Sequence, residues 1–163
     1  MDRQNNGFHH GFTRRSALRL AVAALFVPRP FAFAAQSPNI LVHKDPSCGC
    51  CLGWVRHLKE AGFAVTVEET TDRQSLRERL GVPADLASCH TAEVDGYVLE
   101  GHVPAAAVRR LLEERPTEIG LAVPGMPAGS PGMGGAPEPY DVVLFGASGQ
   151  QPFMGFVGMQ NVG

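Results

Sequence analysis

The sequence predicts an α/β layer fold. Short β-branched runs alternate with segments whose apolar residues recur at helical spacing, glycine or proline marks many of the junctions, and most connections are short. Residues 39–45 (NILVHKD) read as a first strand, and Pro46-Ser47-Cys48 as a turn in which Ser47 or Cys48 can cap a helix. Leu52, Val55 and Leu58 keep helical spacing from Cys51 until Gly62, a natural stop. Residues 63–68 (FAVTVE) alternate apolar and polar as a second strand does. Asp72 opens a polar helix that carries Leu76 and Leu80 on one face and closes at Gly81-Val82-Pro83. Tyr97-Val98-Leu99 sits in a third strand, which leads through Gly101-His102-Val103 to Pro104. Residues 105–115 form a helix with Val108, Leu111 and Leu112 on its apolar face, and residues 141–145 (DVVLF) form the last strand. Between positions 120 and 140 lies VPGMPAGSPGMGGAPEP, too rich in glycine and proline for either element, and loops of this length are usually functional or disordered.

The 163 residues make room for one ordinary domain, and 44% hydrophobic against 18% charged residues allow a packed core. The net charge of -2 hides an asymmetry. Residues 1–34 carry Arg3, Arg14, Arg15, Arg19 and Arg29 against Asp2 alone, which leaves 9 basic and 15 acidic side chains elsewhere, a net of -6. That balance has no electrostatic footprint for nucleic acid. Arg14-Arg15 precede the apolar run 20–27, followed by Pro28, Pro30 and the small-x-small Ala32-Phe33-Ala34. Residues 1–34 thus read as a cleavable signal peptide whose arginine pair resembles a twin-arginine export signal. The apolar run falls short of the ~20 residues that span a bilayer. Residues 35–163 are expected as a single periplasmic domain, with no membrane contact after cleavage.

The chemistry concentrates in Cys48, Cys50, Cys51 and Cys89. A cysteine cluster between the first strand and the first helix narrows the α/β expectation to a thioredoxin-like domain. Two structural disulfides are the bland alternative for an exported protein, but three cysteines in one short turn resist two separate bridges. A single Cys48–Cys51 bridge has the C-x-x-C redox spacing, at a helix N-terminus that lowers a thiol pKa. The additional Cys50 favours metal, since thiolates are soft ligands for Cu(I), Zn(II) and iron–sulfur clusters, and crowded sulfurs suit bridging of several ions. His102, His90 and His43 are the histidines near these cysteines in the predicted layout, and His57 reads as structural. Met126 and Met133, seven apart in the Gly/Pro loop, are poor core filler there. Their thioethers shift the expected metal from zinc to copper. Met154 and Met159 read as packing of the C-terminal tail.

Three segments, KDPSCGCCLGWVRHL, SCHTAEVDGYVLEGHVPAAAVRRLL and GLAVPGMPAGSPGM, closely resemble the CopG-type periplasmic copper proteins. The resemblance runs from Ile40 to about Met133. It implies a thioredoxin-like fold with a multinuclear, thiolate-bound copper site, mainly for Cu(I), that serves copper resistance and Cu(I)/Cu(II) conversion. Cys48, Cys50 and Cys51 fall on the family's C-x-C-C, and Cys89, His102, Met126 and Met133 on its other motifs. Copper ions and other periplasmic copper-handling proteins are the implied partners. His43 departs from the family pattern, which tends to carry an aromatic residue there. Whether the chain is a copper oxidoreductase or a metal store stays open, and the alternative activity is thiol–disulfide exchange by Cys48 and Cys51.

Overall fold

Eleven elements follow one another within residues 38–163, the part of the chain that the computed structural model describes. They are β1 (Ile40–Lys44), α1 (Gly49–Glu60), β2 (Val65–Glu69), α2 (Arg73–Leu80), β3 (His90–Val94), β4 (Tyr97–Glu100), α3 (Ala105–Glu114), β5 (Gly120–Ala122), β6 (Pro139–Gly146), β7 (Gly149–Val157) and β8 (Gln160–Asn161), with a 3-10 turn at Ala84–Leu86. The expected signal peptide lies outside the described residues. The strands form one mixed sheet in the order β2-β1-β3-β4-β5-β6-β7-β8. β1 pairs parallel with β2 and β4 with β5, and the remaining pairs are antiparallel. The α/β expectation therefore holds.

Residues on α1 and α3 build the larger core. Trp54, Val55 and Leu58 of α1 and Val108 and Leu111 of α3 pack with Ile40, Val42, Ala92, Leu99 and Leu121 from the sheet. A second cluster joins Val98, Ala122 and Phe145 to Val82 and Leu86 around the 3-10 turn. Adjacent residues such as Val98 and Leu99 fall in different clusters because successive strand side chains point to opposite faces. The buried Trp54 indole places its Nε1–H on the Val103 carbonyl at 2.8 Å. His57 accepts the Ala105 N–H at Nε2 (3.0 Å), which satisfies a donor at the start of α3 and bears out its structural reading.

Several elements differ from the sequence expectation. The single third strand is a hairpin, β3–β4, closed by Asp95-Gly96 with both residues at positive φ. Such a turn is the preferred two-residue hairpin closure, so a local signal was present. β3 itself escaped because His90, Thr91, Ala92 and Val94 are all buried, which erases the alternation. The expected last strand lies within the longer β6, and β7 and β8 continue the sheet beyond it. Met154 is buried on β7 rather than packed from a tail, and Met159 is exposed. The helix cap is also corrected: Cys48 stands at the N-cap of α1 without a side-chain cap bond, and the Ser47 hydroxyl turns back to Asp45. Asp72 does cap α2, accepting the Ser75 N–H at 3.2 Å.

The Gly/Pro loop docks on α1. Gly132, at φ +86°, lies so close that an added Cβ would stand 2.4 Å from the Trp54 nitrogen and 2.8 Å from the Cys50 carbonyl oxygen, and Gly53 faces it from the helix. Gly132→Ala is therefore expected to destabilise the protein by about 3 kcal/mol, combining left-handed strain with a forced separation of loop from helix. Gly134→Ala, where a Cβ meets nothing within 4 Å, is expected to stay within about 0.5 kcal/mol. Denaturant midpoints of the two variants measure the difference.

Candidate metal centre

Three of the four sulfurs come from the start of α1. Cys48 is its N-cap, Cys50 and Cys51 lie in its first turn, and no acidic residue occupies that turn. Free N–H groups and the positive end of the helix dipole face this region and favour thiolate over thiol. Cys89, just before β3, supplies the fourth sulfur. The Sγ atoms of Cys48, Cys50, Cys51 and Cys89 all lie within 4.8 Å of one another. Cys48 and Cys51 are joined by a disulfide, Cys50 and Cys89 are free, and Cys50 Sγ stands 3.5 Å from Cys48 Sγ. The bridge is the one C-x-x-C pairing that the spacing allowed.

A nitrogen-rich end adjoins this sulfur group through Cys89. Its Sγ lies 3.1 Å from His90 Nδ1 and 3.1 Å from His102 Nε2, and the three ligand atoms form a second compact group. His102 Nδ1 lies 2.7 Å from the Pro131 carbonyl, which can only accept, so Nδ1 carries the proton and the Nε2 lone pair faces Cys89. A backbone carbonyl that fixes a histidine tautomer in this way is a recurring support of metal-ligating imidazoles. His90 is fully buried, its ring 4.3 Å from that of Trp54, and its Nε2 has no hydrogen-bond partner.

Burial governs the charge of these groups. Burial, followed by the charge of neighbouring Cys50, pushes the Cys89 thiol up to about 12. Burial, with His102 as neighbour, pushes His90 down to about 3, and burial also lowers His102. Burial thus favours the neutral forms of these groups, and a neutral imidazole is the form that offers a lone pair to a metal, while a nearby cation would favour the Cys89 thiolate.

The structure thus brings together Cys48, Cys50, Cys51, Cys89 and His102 of the residues the sequence singled out. The two methionines are anchored nearby through their backbones. Gly132, directly before the half-buried Met133, packs on the Cys50 carbonyl, and Gly125, directly before Met126, accepts the Ser88 hydroxyl at 2.8 Å. The Met126 side chain is 58% exposed. His90 is the functional candidate that sequence reasoning left undecided. His43 stands apart on β1, with Nε2 2.9 Å from Glu93 and Nδ1 3.6 Å from Glu68, so the residue that departs from the family pattern sits between two carboxylates rather than at the cysteines.

Two solved structures are similar to this chain. The first, of a copper resistance protein CopG in form 1, is 46% identical with a TM-score of 0.69, and the alignment covers 74% of this chain and 98% of that one. The second, the same kind of protein in form 2, is 44% identical with a TM-score of 0.67 over 78% and 99% of the two chains. The chain belongs to the CopG family of copper resistance proteins. Residues 86–133 also match the family described as "Protein of unknown function, DUF411". In this CopG-family chain that match takes in Cys89, His90, His102, Met126 and Met133, while the C-x-C-C turn and α2 lie before it. No curated protein sequence matches the chain.

The lowered histidines carry a pH dependence. His57, His90 and His102 are all held below the ordinary value of 6.5, with burial the leading cause. As pH falls below 6.5 the unfolded chain takes up protons that the folded chain refuses, so stability falls with pH in that window. The thermal midpoint of metal-free CopG-family protein is expected to hold from pH 6.5 until the unfolded Cys89 thiol begins to ionise, and to drop between pH 6.5 and 4. His57→Gln, which keeps an acceptor and removes the titration, should flatten part of that slope.

Proposed function

We propose that this chain is a periplasmic copper-binding protein that holds Cu(I) in a multinuclear thiolate site and contributes to copper resistance. Export by the twin-arginine route and removal of residues 1–34 belong to the same reading. The single observation that carries it is the meeting of four cysteine sulfurs within 4.8 Å, with two imidazole nitrogens at 3.1 Å from one of them. Three of these sulfurs come from four consecutive residues, which suits sulfurs shared between soft ions better than the two separate ligand pairs of a closed zinc site. The order β2-β1-β3-β4 around α1 and α3, with the cysteine turn at the start of α1, supports a thioredoxin-like core to which β5–β8 add an extension.

Loading all four sulfurs requires the Cys48–Cys51 bridge to be open. An external dithiol supplies the two electrons and two protons: its thiolate attacks one bridge sulfur, and its second thiol releases the resulting mixed disulfide. Cys48 and Cys51 then join Cys50 and Cys89 as thiolates, and Met126 and Met133 complete or cover the site. His102 adds an imidazole that tolerates Cu(II), and we place His90 beside it in this role. Nitrogen for the oxidised ion and sulfur for the reduced one make Cu(I)/Cu(II) conversion the redox activity this donor set fits.

Reduced protein purified anaerobically is expected to bind more than one Cu(I) per chain by metal analysis. Serine at 48, 50, 51 or 89 should each lower that number, and the variants should be non-additive because a bridging sulfur serves several ions at once. A stoichiometry of one with a silent Cys50→Ser would leave only a simple two- or three-thiol site.

The disulfide at the start of α1 specifically favours a second reading, thiol–disulfide exchange with Cys48 as nucleophile and Cys51 as resolving thiol. The two readings part at the other ligands. Under the copper reading, His102→Ala spares most Cu(I) binding and impairs Cu(II) retention, whereas Met126→Ala with Met133→Ala weakens Cu(I) more than Cu(II). Robust disulfide exchange by metal-free protein, unaffected by those changes, would make the chain a dithiol oxidoreductase instead. Side-by-side assays of metal-free and copper-loaded protein measure both.

A further inference from the structure

Beneath α2, on the opposite side of β3 from Trp54, the structure holds a polar network that the copper ligands do not include. We infer that Arg73 and Arg77 of α2 are positioning residues that hold the Ser88–Cys89 backbone, and with it the fourth sulfur, against the cysteine turn. The inference rests on the copper-binding reading and adds to it how one ligand is kept in place.

Arg73 and Arg77 stand four residues apart and so project from one helix face. Arg73 Nη1 donates to the Cys89 carbonyl at 2.9 Å. Its Nη2 lies 3.9 Å from the Asp45 carboxylate, in the turn that leads into Cys48, so one guanidinium spans both sulfur-bearing segments. Arg77 donates from Nη2 to the Ser88 carbonyl and from Nε to Glu100 Oε1 at 2.8 Å. Glu100 is completely buried, and its Oε1 also accepts the Ser88 N–H at 2.6 Å while Oε2 accepts the Thr91 hydroxyl at 2.6 Å. Ser88 is therefore gripped at its N–H and its carbonyl, and Cys89 at its carbonyl, by groups on α2 and β4. Its own hydroxyl passes the restraint on to Gly125, next to Met126.

Among the described residues, Arg77–Glu100 is the ion pair whose side chains are together the least exposed, at 12% and 0%. Such a pair is costly to desolvate, and a well-packed apolar pair often serves stability as well. What an apolar pair cannot do is hold both polar groups of the Ser88 peptide units. A planar guanidinium reaches a carboxylate and a carbonyl together, whereas a lysine ammonium is a point donor. Supporting contacts of this kind set metal affinity through the orientation of the ligand they hold.

The test uses reduced protein in anaerobic competition for Cu(I) with a chromophoric bidentate chelator. It compares the wild type with Arg73→Ala, Arg77→Lys and Arg110→Ala. Arg110 pairs with Glu114 on α3 and bonds the Phe153 carbonyl, outside the network. Arg73→Ala and Arg77→Lys are each expected to weaken Cu(I) binding about 10- to 100-fold, while Arg110→Ala leaves it unchanged. Alkylation of the Cys89 thiol by iodoacetamide in metal-free protein, read by mass spectrometry, should quicken in the same two variants. If Arg77→Lys fails to fold, the partly exposed Arg73 decides through Arg73→Ala, whose thermal midpoint should stay near wild type. Wild-type affinity and wild-type Cys89 alkylation in Arg73→Ala would overturn the inference, as would an equal loss in Arg110→Ala. Failure of the wild type itself to bind Cu(I) would defeat the copper reading, and the alkylation rates would still decide the positioning role.

Discussion

Charge repulsion among crowded sulfurs is the constraint on which the rest of this structure depends. Two unit charges 4 Å apart interact by about 4 kcal/mol at the effective dielectric of a protein surface. Four sulfurs within 4.8 Å cannot all be anionic without compensation. Burial pushes the Cys89 thiol up to about 12, and the neighbouring Cys50 adds to the rise. The two ways of relieving it are covalent and ionic. A Cys48–Cys51 bridge removes two potential anions, and soft cations shared between thiolates neutralise all four. The helix N-terminus beneath Cys50 and Cys51 contributes in the same direction but amounts to only about half a charge.

Meeting that constraint draws on both faces of the sheet. β3 begins at the cysteine site, and its first two residues point in opposite directions. His90 turns toward Trp54 and His102, bringing nitrogen to Cys89, whereas Thr91 turns to Glu100 and thereby to Arg77. One face thus supplies donors and the other restraint. Burying a carboxylate such as Glu100 is unfavourable in itself, and burial raises its pKa, opposed by the hydrogen bonds from Thr91 and Ser88 and by Arg77. The same donors that hold the carboxylate hold the peptide that carries Cys89.

The elements legible in the sequence were helices whose periodicity reports a single buried face, and strands such as β1 and β4 that are short, largely apolar runs. α1 and α3 have apolar residues three and four apart, and Asp72 and Gly81 mark the ends of α2 by their side-chain and backbone chemistry. β3 was hidden because a strand covered on both faces loses its alternation, and because its polar residues are satisfied only by partners distant in sequence. The gathering of Cys48, Cys50 and Cys51 could be read from spacing, since C-x-C-C leaves few geometries, whereas only the fold brings Cys89 to them. His90 could not, because its role depends on where β3 begins and which way its first side chain points. Arg73 and Arg77 look like ordinary surface charges of a polar helix, and only the fold places them under Cys89.

The loop between β5 and β6 follows from the same geometry. A segment so rich in glycine and proline has little apolar surface of its own with which to pack, so it needs specific anchors. Three are present, and each lies next to a ligand candidate. Gly132 abuts the Cys50 carbonyl, the Pro131 carbonyl takes the His102 Nδ1 proton, and the Gly125 carbonyl takes the Ser88 hydroxyl. The His102 ring is consequently shared, one nitrogen on the loop and the other on Cys89. A cation drawn onto Nε2 would strengthen the Nδ1–H donor toward Pro131, because withdrawing density from one ring nitrogen makes the proton on the other more acidic. Metal binding and loop docking would then be coupled. The approach itself depends on glycine, because the backbone at Gly132 lies against α1 only as closely as a missing side chain allows.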